Sequence, residues 1–202
     1  MQVASLRESW KRLWAARFED DTARLRFALG EGQDALVPRF LQAHRRASTI
    51  ADSVFGGTCF AIAAWNGFPP NSIGLQEDVA DGFTALHATG FDAPHVATWH
   101  ENLYADMEDE VDPWEVRAYD LGTSKALRDT LLWHAVALEL PVSPSVPLIL
   151  FLHDPKAALL LHAYDDRGMD VIAEDAERLR GLHATFSDWL LDEDRTRMAA
   201  RF

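Results

Sequence analysis

The sequence predicts an α+β protein: a mixed, largely antiparallel sheet with a C-terminal meander, flanked by helices and preceded by an N-terminal helical segment. Three observations carry that expectation. Apolar residues recur at helical spacing over residues 6–18, 33–54 and 123–140. Apolar runs too short for helices occur at Thr58–Trp65 and Trp114–Leu121. Beyond Pro147, strand-like runs follow one another across hairpin-length turns. All 202 residues read as one α+β domain, residues 1–30 being a helical extension and residues 31–202 the sheet-and-helix body.

The first helix is read from Leu6, Trp10, Leu13, Trp14 and Phe18, with Arg7, Glu8, Lys11 and Arg12 opposite. An aromatic stripe beside a basic face suits a membrane surface as well as a protein core; packing on the body of the protein is the favoured reading. A short helix over Thr22–Leu29 is expected to end at Gly30, a residue suited to the position just past a helix. Gln33–Val54 follows as a longer helix with Leu36, Phe40, Leu41, Ala47, Ile50 and Val54 inward, stopped by Gly56 and Gly57. Thr58–Trp65 is the first buried strand. After a turn-rich loop from Gly67, Val79, Phe83 and Leu86 place a helix over Gln76–His87. Val96–Leu103 reads as a strand, Tyr104–Asp112 as an acidic loop and Trp114–Leu121 as a strand. Thr123–Leu140 is a helix capped by Thr123 or Ser124, with Ala126, Leu127, Leu131, Val136 and Leu140 inward, and Pro141 stops it. The meander strands are Leu148–His153, Ala157–Tyr164 and Met169–Ala173; the turn Asp165–Gly168 between the last two is expected to use Gly168 for a positive φ. Helices over Glu174–Phe186, with Ala176, Leu179, Leu182 and His183 inward, and over Glu193–Phe202 complete the order.

Charge is distributed unevenly. From Ala47 to Trp114 there is no Lys or Arg, yet the stretch holds Asp52, Glu77, Asp78, Asp81, Asp92, Glu101, Asp106, Glu108, Asp109, Glu110 and Asp112. Residues 1–46 carry a balance of +3, so the remainder carries −16 of the net −13. Unless cations fold over from elsewhere, part of the surface projects a negative potential of several kT, screened beyond about 8–10 Å. Such a field repels nucleic acid and anionic membranes and attracts basic proteins. The densest run, Asp106 to Asp112, is flanked by Trp99, Glu101, Tyr104 and Trp114. Aromatic anchors ringed by carboxylates have the composition of a hot spot for a cationic partner.

Motifs for catalysis are missing from the sequence, and no catalytic residue, metal or cofactor is expected. Cys59, the lone cysteine, sits in an apolar run and reads as a small buried hydrophobe rather than a nucleophile. The eight histidines lack metal-ligand spacing, although His153 and His162 are placed to oppose each other across a hairpin. Asp165, Asp166 and Asp170 suit Mg²⁺ or Ca²⁺ only if their turn folds inward; aspartates that bond backbone N–H groups two residues on are the favoured reading. An Arg–carboxylate bridge is expected between this turn and the C-terminal turn, with Arg195 pairing to Asp166 or Asp192. Of the seven Trp, most are assigned to the core. No signal peptide or membrane-spanning run is recognised, which implies a cytoplasmic protein.

The run His162–Ala173, followed by Phe186–Arg195, resembles a bacterial family of uncharacterised proteins, a domain of unknown function. The pattern is Tyr-Asp-Asp-Arg-Gly-x-Asp-(Val/Ile)-Ile, a helix, then Trp-(Ile/Leu)-Leu-Asp-Tyr-Asp-Arg. Here it falls on Tyr164, Asp165, Asp166, Arg167, Gly168 and Asp170, then on Trp189, Asp192, Asp194 and Arg195, with Glu193 in place of the usual Tyr. Arg26–Gly30 resembles an Arg-Phe-Glu-Leu-Gly block, with Ala28 departing from Glu. The likeness covers Arg26–Phe202 in outline and is specific over Leu159–Arg195. It implies structural roles for these residues and no known chemistry. Small acidic α+β proteins of this kind look similar to immunity proteins of bacterial polymorphic toxin systems, which implies an inhibitor that binds a basic toxin domain. The alternatives are an enzyme using Asp166, Arg167, Asp170, Asp192 and Arg195, or a regulatory interaction module. Oligomeric state is left open.

Overall fold

Seven strands hydrogen-bond into one sheet in the order β1-β7-β6-β5-β2-β4-β3, and every neighbouring pair is antiparallel. The strands are β1 (Ala23–Ala28), β2 (Cys59–Trp65), β3 (His95–Glu101), β4 (Trp114–Gly122), β5 (Ile149–Asp154), β6 (Leu159–Ala163) and β7 (Gly168–Ala173). The helices are α1 (Val3–Ala16), α2 (Leu36–Val54), α3 (Gly82–Ala88), α4 (Lys125–Ala137), α5 (Glu177–Thr185) and α6 (Arg195–Arg201). This computed structural model describes residues 3–19, 21–32, 34–67, 81–104 and 113–202. The architecture is α+β, and β5, β6 and β7 form the meander.

Side chains alternate across each strand, so a sheet covered on both faces has two cores. On one face Leu25, Phe27, Ala61, Ala63, Leu152, Leu161 and Val171 pack with residues of α2, α4 and α5, among them Phe40, Ile50, Leu131, Val136 and Leu179. On the other, α1 lays Leu6, Trp10, Leu13 and Trp14 over Ile62, Trp99, Val116, Phe151, Leu160 and Ile172. Trp10 meets Trp99 and Phe151 edge-on, with ring centres 5.7 Å away in each case. Burial on both faces explains why β5 and β6 are apolar runs rather than alternating ones.

Several expectations are corrected. The segment over Thr22–Leu29 is not a helix but the edge strand β1, paired from Ala23↔Ala173 to Ala28↔Gly168. Leu25 and Phe27 alternate with Arg24 and Arg26, a period of two that outweighs helix propensity in a piece too short to be helical alone. The extension over residues 1–30 thus supplies an edge strand as well as a helix. Gly30 accordingly caps no helix; a Cβ there would lie 2.8 Å from the Asp166 carbonyl oxygen and 2.9 Å from Arg39 Cγ. Gly168 does not adopt a positive φ either. Its requirement is space, because a Cβ would overlap the phenol of Tyr164. Phe18, past the end of α1, is 61% exposed, and Leu41 is 55% exposed on α2, whose inward stripe is Phe40, Ala43, Ala47, Ile50 and Ala51. Leu36, at the first turn of that helix, is also exposed, as is Ala126 on α4. α3 starts at Gly82, with Asp81 accepting from the backbone N–H groups of Phe83 and Thr84; Gln76–Ala80 lie outside the described residues. Ser124, one of the two candidate caps, caps α4. Trp10, Trp14, Trp99 and Trp114 are buried, while Trp65, Trp133 and Trp189 are half-buried.

Because Trp10 is the central contact between α1 and the sheet, Trp10→Ala is expected to cost about 3–5 kcal/mol of stability. Urea unfolding monitored by tryptophan fluorescence would measure this. A loss under about 1 kcal/mol would show that α1 is not docked in this way.

Candidate protein-binding surface and its supporting ion pairs

The β3–β4 edge carries the residues expected to bind a partner, and the structure divides them. Trp99 and Trp114 are buried beneath α1 and form part of its seat, so they are not exposed anchors. Trp14 belongs to the same cluster, and its indole N–H donates to the Leu103 carbonyl at 3.0 Å. Tyr104 is half-exposed, with its ring centre 6.4 Å from Trp14 and 6.0 Å from Trp114. Glu101 accepts from Arg7 Nη2 at 3.0 Å and from Lys11 Nζ at 2.9 Å. Burial pushes the Glu101 pKa up, but these two cations outweigh it and hold the carboxyl below its usual range. Glu101 therefore fastens α1 to the end of β3 rather than projecting charge. Asp106, Glu108, Asp109, Glu110 and Asp112 lie outside the described residues, as do Glu77 and Asp78.

Cations do fold over part of the acidic stretch. Asp52 is bonded by Lys125 and Arg128 from α4, and Asp81 is engaged as the α3 cap. Asp92 is exposed. Sequence position alone hid these matches, because α1 and α4 come from outside residues 47–114.

The aspartates and arginines of the C-terminal third form internal pairs. Asp165, almost fully buried, accepts from the backbone N–H of Arg167 at 2.6 Å and from Arg167 Nε at 2.8 Å. That is the aspartate turn geometry expected of this sequence. Arg167 also bonds Glu139 at 2.9 Å. Asp166 pairs with Arg39 of α2, while its carbonyl accepts from Gly30 N–H at 2.8 Å. Asp170 lies between Arg26, at 3.2 Å, and Arg24, at 3.6 Å. Arg26 reaches further to Asp194 at 2.5 Å, and Arg197 approaches Asp194 at 3.4 Å. Arg195 pairs with Asp192 at 2.9 Å and donates to the carbonyls of Ser187 and Leu190. Trp189 stacks on Phe186, and the Arg46 guanidinium lies over its ring at 5.2 Å.

The bridge between the meander and the C-terminal turn is therefore made by Arg26 of β1, not by Arg195. The sequence signal for it is the alternation of Arg24 and Arg26 with Leu25 and Phe27, which places both arginines on one face of β1. Burial raises the Asp170 pKa against the pull of Arg26 and Arg24. For Asp194 burial also acts upward, but Arg26, Arg197 and Arg24 prevail and hold it low. Burial followed by the Asp170 charge lifts the Tyr164 phenol to about 12. Asp166 is held from the α2 side, whereas Asp170 shares the β7 face of Ile172, which meets α1. Asp166, Asp170 and Asp192 are thus each paired to a different arginine.

His153 and His162 do not oppose each other: His153 sits opposite Leu160. Each is tied through Nδ1 to a backbone carbonyl, Leu159 at 2.9 Å and Leu150 at 3.1 Å. Burial depresses His134, His153 and His162 to about 4. Among the described residues no three His, Cys, Asp or Glu side chains gather to hold a metal ion. The Cys59 thiol is buried, and burial raises it to about 11, which disfavours a thiolate.

These features define an α+β protein whose sheet is covered by helices on both faces, with its C-terminal acids paired to arginines and an acidic connection at the β3–β4 edge. The chain belongs to the family described as a domain of unknown function, DUF3885, which matches residues 4–194. No curated protein and no solved structure matches it. No described helix is long and apolar enough to cross a membrane.

Two outcomes are expected from the paired and neutral groups. Arg26→Met leaves a buried carboxylate short of a partner and should lower stability by about 3–5 kcal/mol. Adding Asp170→Asn should restore part of that loss in urea unfolding; a double variant as unstable as the sum of both singles would refute the pairing. The three buried imidazoles stay neutral in the folded chain down to about pH 4 but titrate near 6.5 when unfolded. The unfolded state takes up the extra protons, so stability should fall as pH drops through that window, by at most roughly 3 kcal/mol per imidazole. Melting temperatures between about pH 7.5 and 4 should show the decline, and His153→Leu should flatten it.

Proposed function

We propose that the protein is an acidic protein-binding module, an immunity-type inhibitor acting in the cytoplasm that blocks a cationic toxin domain by occlusion. One observation carries the reading: residues 105–112 contain five carboxylates and no cation, and they join β3 to β4, where Arg7 and Lys11 are already engaged by Glu101. On this reading the charge of that connection engages the partner. Long-range attraction raises the encounter rate, and the neighbouring half-exposed Tyr104 supplies aromatic contact area. Trp99, Trp114 and Glu101 support this edge from below.

The catalytic alternative has less support, because its aspartates are held in separate ion pairs. A regulatory module without inhibitory activity differs from the present reading in one respect, that its partner is not a toxin. Co-expression of the partner with and without this protein separates the two, since only an inhibitor restores growth.

The partner is to be isolated on the immobilised full chain and its association followed by stopped flow. Combining Asp106→Asn, Glu108→Gln and Asp109→Asn should slow association by about tenfold at low salt and flatten its dependence on ionic strength. Association indifferent to both the substitutions and the salt would reject the steering mechanism.

A further inference from the structure

The sheet is forked. β5 begins at Ile149 and β6 runs to Ala163, yet their ladder stops at Leu152↔Leu161. β5 remains paired to β2 as far as Ile149↔Ala64, and β6 to β7 as far as Ala163↔Met169. Both prongs are thus held firmly by their outer neighbours while they part from each other. Within the gap a side chain stands in for a backbone rung, with His162 Nδ1–H donating to the Leu150 carbonyl at 3.1 Å.

A cavity of about 220 Å³ occupies the fork. It is smaller than the ~300–1,000 Å³ typical of small-molecule sites and suits one long side chain. Leu138, Leu148, Ile149 and Leu150 supply an apolar wall. Tyr104, Glu139, Tyr164, Asp165 and Arg167 supply the polar lining. Arg167 is the only fixed cation among them, and its side chain is 61% exposed. Its guanidinium joins Glu139 to Asp165, two carboxylates that are themselves largely buried. The site therefore already displays guanidinium recognition, filled by an arginine whose side chain is largely exposed. Its turn keeps the Arg167 N–H on Asp165 whatever the side chain does.

Resting on the reading that the partner is basic, we propose that the fork receives one arginine side chain of that partner. The aliphatic stem lies along Leu138, Leu148 and Ile149, and the guanidinium replaces that of Arg167 on Glu139 and Asp165. Both carboxylates already accept a guanidinium in this geometry, so an incoming one meets the same acceptors. Tyr104, which lines the cavity, immediately precedes the acidic residues 105–112, so a partner drawn to that charge arrives beside the fork.

N-acetyl-L-argininamide is the probe, titrated into the ¹⁵N-labelled full chain. Amide shifts should move at Leu150, His162, Ala163 and Asp165, and N-acetyl-L-leucinamide should move none of them. Arg167→Ala removes the competitor and should tighten binding about tenfold, and adding Glu139→Gln should abolish it. Leu138→Trp, which fills the cavity but keeps every charge, should also abolish it, and this variant decides the matter if Arg167→Ala does not fold. No shifts with Arg167→Ala, or undiminished shifts with Leu138→Trp, would overturn the proposal. Partner kinetics separate it from the broader reading. If the 105–112 substitutions slow association but Glu139→Gln leaves dissociation unchanged, the fork site falls alone. If argininamide fills the fork while partner association ignores residues 105–112, the steering reading falls and the fork site stands.

Discussion

A sheet buried on both faces is the constraint from which the rest of this structure follows. With α1 on one side and α2, α4 and α5 on the other, the central strands meet almost no water. Their side chains are therefore apolar in both directions, and any polar group among them needs a partner within the protein. His153 and His162 each meet it at Nδ1, as neutral rings donating to strand carbonyls. Asp170 meets it by lying between two arginines on the neighbouring edge strand.

That demand also explains how the arginines are used. Arg24 and Arg26 belong to β1, pair in register with Ile172 and Asp170 of β7, and tie the turn holding Asp194 to the sheet. Arg39 performs the same service for the β6–β7 turn from α2. These are partly buried pairs whose loss would strand a carboxylate in a poor solvent for charge, so they bear on stability more than the exposed Arg180–Glu177 pair does. The arginine-rich N-terminal third and the aspartate-rich C-terminal third are thus matched to each other. Among the acids of the middle of the chain, Glu101 and Asp52 are taken by α1 and α4.

The functional reading gains its shape from this allocation. Charge that braces the fold is unavailable to a partner, and in the sequence the densest run of carboxylates lies between β3 and β4. The fork between β5 and β6 is a second departure from uniform pairing, because two carboxylates converge there on a replaceable guanidinium. The sheet parts where an exposed arginine joins those two carboxylates.

How much of this was legible depended on the range of the interaction concerned. The α+β class, the meander, the aspartate turn at Asp165–Arg167 and the helices α1, α2 and α4 follow from period, capping and turn chemistry, all local properties that act within a few residues. The strand identity of β1 is not legible locally, because a six-residue amphipathic piece is compatible with either period and only pairing with β7 decides between them. Trp99, Trp114 and Glu101 looked like a binding surface because their neighbours in sequence are acidic. Their neighbours in space are Arg7, Lys11, Trp10 and Trp14, which the sequence places about ninety residues away. By itself, then, the sequence determined the composition of the elements and the excess of negative charge. The tertiary structure alone decided which charges cancel and where the sheet parts, since ion pairing and strand register depend on distances that chain order does not encode.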